Sequence, residues 1–215
     1  WSNQWEPSTK RQHANEVYNT RWKDTSENHN GKNIENVIKD VPEHDVLVGG
    51  FPCQDYSVAT TLKNSKGLIG VKGVLWWSIY SILKHQGKKK PKYLILENVD
   101  RLLVSPASQR GRDFAVMLSC LNDLGYIVEW RVINAADYGM PQRRRRTFIV
   151  GYQKNTKLAR SFMKLKSKEE WIFSKGVFAS QLKIDRNLSG KLLDPYSIKG
   201  TVKSISKNFN RGGKF

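Results

Sequence analysis

Two uninterrupted apolar runs constrain this chain most: DVLVGG (residues 45–50) and YLILENV (93–99). Each is short and continuously apolar, the first until its closing glycines and the second until its C-terminal end, and each reads as a buried strand. Between them VLWWSIYSILKH (74–85) reads as an apolar-rich helix stopped by Gly87 and the run KKKP. Residues 110–124 look helical up to Gly125, after which IVEWRVI (127–133) and TFIVGY (147–152) read as further strands. An earlier helix is expected over 6–22, with Pro7 in its first turn and Ala14, Val17 and Tyr18 on one side. This alternation predicts an α/β, doubly wound sheet. Ligands in such folds gather beyond the carboxyl ends of the strands, where the Cys53 turn and Glu97-Asn98 fall. After about residue 153 the pattern dissolves into a Lys-rich stretch with no clear period, read as a second, less regular region.

Composition narrows the class. At 215 residues and 39% hydrophobic content the chain has enough for a core without a disulfide or metal. Its two cysteines, Cys53 and Cys120, offer neither a disulfide framework nor metal-ligand spacing, so no metal is expected and a reducing, intracellular setting is. No stretch is as long and apolar as a membrane span needs, and no secretory leader opens the sequence. The absence of an initiating Met leads us to expect an internal portion of a longer protein. Lys and Arg number 37 against 19 Asp and Glu, a net charge of +18 that favours polyanionic partners, nucleic acid first.

Three clusters carry chemistry. Cys53, in the turn GGFPCQ, is either a small buried hydrophobe or a nucleophile whose thiolate needs a cationic or dipolar setting. Glu97 ends an apolar strand, where desolvation would raise its pKa and suit it to general acid work; Asn98 beside it is placed to orient neighbouring groups. In PQRRRRTFIVGY the arginines lead into a strand, so Arg144 and Arg146 should face one way and Arg143 and Arg145 the other. A thiolate, a protonatable carboxyl and fixed guanidiniums suit one reaction well: thiolate addition at cytosine C6, which makes C5 a carbon nucleophile.

GGFPCQ, LENV and QRRRR, in that order, resemble the DNA (cytosine-5) methyltransferases over residues 1 to about 152. The resemblance implies a Rossmann-like methyltransferase sheet, incomplete here, followed from 153 to 215 by the start of an irregular target-recognition domain. It makes Cys53 the nucleophile at C6, Glu97 the group on the N3 edge, and Arg144 and Arg146 the holders of a cytosine flipped from double-stranded DNA. Gln54, Ser57, Arg143 and Arg145 match positions close to the DNA. S-adenosylmethionine is the implied methyl donor, met by Gln4, Trp5, Asn33, Ile34, Pro52 and Leu75. Gln4 and Asn33 stand where the family has acids, which removes charge assistance worth about 1 kcal/mol each. The Gly-rich cofactor segment that opens the family and its C-terminal motifs do not occur in the sequence. A bacterial, cytoplasmic monomer is expected, nuclear if the source is eukaryotic. Alternatives are a catalytically incompetent DNA-binding relative, an RNA cytosine methyltransferase and a Cys-dependent hydrolase. The last wants a histidine base that none of His13, His29, His44 or His85 offers.

Overall fold

The computed structural model describes residues 1–6, 9–51, 75–104, 110–167, 169–184 and 203–205. They fall into two compact units, Trp1–His44 with Leu75–Lys90, and Asp45–Val74 with Pro91–Phe215.

In the first unit β1 (Ser2–Asn3) pairs in parallel with β2 (His29–Asn30). Asn3 Nδ2 donates to the carbonyls of Asn30 and Lys32, each at 2.8 Å, which ties the segment around Gln4 to the segment leading into Asn33. Helix α1 covers His13–Arg21 only. The expected start near residue 6 fails because residues 9–12 are not helical, the Gln12 side chain binding backbone groups instead. Its Oε1 accepts from Glu6 N–H at 2.7 Å, and its Nε2 donates to the carbonyls of Glu6 and Thr9. Helix α2 (Leu75–Gln86) buries Trp76, Trp77, Tyr80, Ile82 and Leu83. It ends where Gly87 turns left-handed at φ +55°, a conformation that strains a residue carrying Cβ.

The second unit is built on a four-stranded sheet. Its strands are β3 (Val46–Gly50), β4 (Tyr93–Val99), β5 (Tyr126–Asn134) and β6 (Arg145–Gln153), in spatial order β3-β4-β6-β5. β3 and β4 are parallel, with Gly50 opposite Glu97. β6 runs antiparallel to both its neighbours. The expected α/β sheet therefore carries one reversed strand. Residues 135–144, which join β5 to β6, are fewer than the roughly dozen a parallel crossover needs, so the chain turns back on itself.

Helix α3 (Arg112–Asp123) links β4 to β5, its start and finish set by Gly111 and Gly125 at φ +86°. Leu94, Leu96 and Ile149 point to one face of the sheet and are fully buried, and Phe114 of α3 meets Trp130 edge-on.

The segment after Gln153 holds more order than its composition suggests. Thr156 caps α4 (Lys157–Lys164) by accepting from Ala159 N–H at 3.2 Å. A π-helical turn at Trp171–Lys175 and the short α5 (Val177–Gln181) follow. Trp171, Phe178 and Ala159 bury themselves with Val150 and Tyr152 of β6. Arg131 of β5 holds this segment, donating to the carbonyls of Leu182 at 2.7 Å and Ile172 at 2.8 Å while stacking over Phe178. Sequence reading missed these attachments because they depend on side chains from β5 that a local pattern does not connect to residues 40–50 positions later.

Candidate active site

The carboxyl end of β4 and the start of β6 lie side by side, because an antiparallel strand brings its first residues to its neighbour's last. Val99 is opposite Arg146, and Glu97 is opposite Phe148. Glu97 and Arg146 are thus diagonal neighbours on one face, within reach of long side chains. Arg146 Nε lies 2.9 Å from Glu97 Oε1. The Glu97 side chain is 34% exposed and that of Arg146 24%, so the carboxylate is neither sequestered in apolar surroundings nor free, but paired and reachable. Its other oxygen, Oε2, is 3.5 Å from where a Cβ on Gly50 would stand. Gly50 at the end of β3 therefore lies directly beside the carboxylate, where a Cβ would make an ordinary van der Waals contact.

Asn98 does what its position suggested. It is only 2% exposed and points to the opposite face, where Nδ2 donates to the carbonyl of Phe51 at 2.8 Å and Oδ1 accepts from Val99 N–H at 2.9 Å. The backbone two residues ahead of Cys53 is thereby fastened to the strand that carries Glu97. Pro52, Cys53, Gln54 and Ser57 themselves lie outside the described residues.

The four arginines divide differently from the simple alternation. Strand pairing begins at Arg145, so alternation governs Arg145 and Arg146 alone. Arg145 turns away and meets Asp100, Nε to Oδ2 3.1 Å, an acid the sequence reading did not single out. Arg143 and Arg144 sit in the preceding turn, both exposed, with the Arg144 carbonyl accepting from Ala135 N–H at 3.0 Å. Only Arg146 is brought to Glu97 among the described ion pairs.

Cys120 is not a competing nucleophile. It is fully buried in α3, and burial, with Asp123 nearby, pushes its thiol up to about 12, so it stays protonated at neutral pH. Among the described residues no His, Cys, Asp and Glu cluster could hold a metal ion, and no helix is long and apolar enough to cross a membrane.

The residues expected at the methyl donor all belong to the first unit, except Pro52. Gln4 N–H donates to the Asn30 carbonyl at 3.2 Å, which brings Gln4-Trp5 close to the chain entering Asn33-Ile34. Trp5 and Leu75 are exposed large apolar side chains. Asn33 Oδ1 accepts from Glu35 N–H at 3.0 Å. An exposed indole and two amides suit the ring face, hydroxyls and ring nitrogens of an adenosine.

The chain matches the model of the family described as C-5 cytosine-specific DNA methylase over residues 1–211. It belongs to that family. It is 49% identical to the type II methyltransferase M.Sau3AI of Staphylococcus aureus over 213 residues, 98% of this chain and 50% of that protein. It is 42% identical to M.NgoBI of Neisseria gonorrhoeae over 116 residues, 54% of this chain and 34% of that one. The chain thus spans at most about half the length of these methylase relatives. Among solved structures, a mutant of Spodoptera frugiperda DNMT2 shares the fold at TM-score 0.50 and 20% identity, covering 72% of this chain and 43% of that one.

Proposed function

We propose that this chain carries the catalytic centre of an enzyme that methylates C5 of cytosine in double-stranded DNA, in a bacterial cytoplasmic setting. The observation that carries the reading is the fastening of Phe51, by Asn98, to the strand end where Glu97 meets Arg146. Cys53 follows Phe51 by two residues in the sequence.

In this reading the Cys53 thiolate adds to C6 of a cytosine rotated out of the duplex, forming a C6–S bond and pushing the C5–C6 electron pair onto C5. Glu97 hydrogen-bonds the N3 edge and gives it a proton as negative charge builds there. Arg146 keeps the Glu97 carboxylate oriented and adds positive charge beside the ring. S-adenosylmethionine would supply an electrophilic methyl group, and the residues that the family resemblance assigns to it are Trp5 and Ile34 for its adenine, Gln4 and Asn33 for its polar edges, and Pro52 and Leu75 as apolar contacts. Once C5 is methylated, loss of its proton to a base returns the electron pair to C5–C6 and expels the Cys53 thiolate. Arg143 and Arg144, exposed in the turn, meet DNA phosphate alongside Gln54 and Ser57. Residues 153–215 begin the region that selects the target sequence.

The test is denaturing intact-mass analysis after incubation with S-adenosylmethionine and duplexes carrying 5-fluorocytosine, whose fluorine blocks the final elimination. A protein–DNA adduct that disappears in Cys53→Ser supports the reading. An adduct that survives the substitution refutes it. Glu97→Gln should slow adduct formation roughly 10²–10⁴-fold, the range of a lost general acid.

A further inference from the structure

Arg131 does more than hold the segment after β6. Glu97 of β4 lies opposite Phe148 of β6, and Phe148 lies opposite Arg131 of β5. Directly opposed residues share a face of the sheet, so Glu97, Phe148 and Arg131 form one row across three strands. Two strand spacings put the Arg131 backbone about 10 Å from that of Glu97. Phe148 stands between them, partly buried against the core around Tyr152, Trp171 and Phe178. The row therefore links the candidate active site to the cover that the segment after β6 lays over the sheet.

The guanidinium spends its donors in two directions. Its terminal nitrogens reach the carbonyl of Ile172 in the π-helical turn at 2.8 Å and that of Leu182, just past α5, at 2.7 Å. A planar fork suits two acceptors at once in a way that a single ammonium does not. Burial lowers the pKa of this guanidinium, and the Tyr138 side chain, hydrogen-bonded to it, and the Glu129 carboxylate oppose that shift. Tyr138 closes the short helical turn Ala135–Tyr138, the first part of the connection that bears Arg143 and Arg144. Ala135 N–H donates to the Arg144 carbonyl at 3.0 Å and Met140 N–H to the Ala135 carbonyl at 3.1 Å, so that connection is knitted across its base. One half-buried cation thus touches both the arginine turn and the segment with which the recognition region begins.

We propose that Arg131 is a positioning residue that fixes the turn bearing Arg143 and Arg144 against the opening of the recognition region, and so preorganises both for one duplex. What the two segments engage rests on the methyltransferase reading; the clamp between them does not. A pre-set pair of contact surfaces binds without the ordering cost that each would otherwise carry. Loss of the clamp should therefore weaken capture of the duplex and leave the chemical step in place.

The test pairs two measurements on the whole chain, for wild type, Arg131→Met, Tyr138→Phe and the double variant. Hydrogen exchange reads the clamp directly. Arg131→Met should speed exchange over both 135–144 and 171–182, and Tyr138→Phe over 135–144 alone. Adduct formation on a pool of 5-fluorocytosine duplexes, with S-adenosylmethionine present, is then followed against duplex concentration. Arg131→Met should raise the half-saturating concentration about tenfold at an unchanged limiting rate, an ordinary size for a coupling between two sites. Tyr138→Phe should raise it in the wild-type background and add nothing to Arg131→Met, because both remove the same link. Exchange that rises only over 171–182 in Arg131→Met overturns the proposal, as do additive effects or a limiting rate that falls at constant half-saturation. If Arg131→Met does not melt cooperatively, Arg131→Lys keeps the charge without the planar fork and should show the same two changes in smaller measure. Wild-type behaviour of that variant in both assays overturns the proposal too. A wild type that forms no adduct refutes the methyltransferase reading, while the exchange measurement still decides the clamp.

Discussion

Removing the Asn98 amide should disable the site from behind. Asn98→Ala removes the amide that donates to the Phe51 carbonyl and accepts from the Val99 N–H, at a position 2% exposed. Removing one partner of a buried hydrogen bond costs about 1–3 kcal/mol, so two such losses come near 3 kcal/mol. In a domain of this size that lowers the melting temperature by about 6–12 °C. The kinetic effect should exceed what stability explains. With Phe51 released, the backbone that leads to Cys53 loses its tie to the Glu97 strand, and a misplacement of about 1 Å costs about 10²-fold in rate. The assay is the rate of 5-fluorocytosine adduct formation at a temperature where urea titration shows the variant folded. A variant with wild-type melting and wild-type adduct rate would refute the assigned role of Asn98.

Three further outcomes follow from the second unit. Burial pushes the Glu129 carboxyl upward from its ordinary 4.5, while a hydrogen bond from the Tyr152 hydroxyl opposes the shift. A raised carboxyl favours the folded state below pH 4.5 and loses that contribution as pH rises through its folded value, so Glu129→Gln should flatten the decline in urea-measured stability over that window; an unchanged profile would refute it. Thr156→Ala removes the cap of α4 and should cost about 1 kcal/mol in urea titration, with unchanged stability as the refuting result. Gly151→Ala would set a Cβ 3.0 Å from Leu94 Cδ1, a fully buried side chain, and should destabilise by about 1–3 kcal/mol in thermal melts.

The strands and the site were legible in the sequence to different depths. YLILENV reads as a strand and is one over the same residues, because a short apolar run flanked by breakers has few other uses. Glu97 was legible as a polar residue closing that run. The arginine run was only half legible. Composition does not say where pairing starts, and that point decides that Arg146 meets Glu97 while Arg145 meets Asp100. The first helix was misjudged because Gln12 binds backbone groups of residues 6 and 9, a local competition that helix-friendly composition hides. Glu129 and Arg131 carried a faint signal, as two charges at period two within an apolar strand. Their partners come from far along the chain, so their purpose appears only in three dimensions.

The reversed strand also sets an order of assembly. β4 and β5 never hydrogen-bond to each other, because β6 fills the space between them. A nascent chain released only as far as Asn134 therefore carries two strands with unfilled edges facing a gap, a condition that invites pairing with other chains. Synthesis of the next nineteen residues, Ala135–Gln153, closes both edges at once, and the same strand delivers the guanidinium to Glu97. β6 thus joins the described strands and forms the ion pair in a single event, and an abortive product ending before β6 would be both sticky and without that pair.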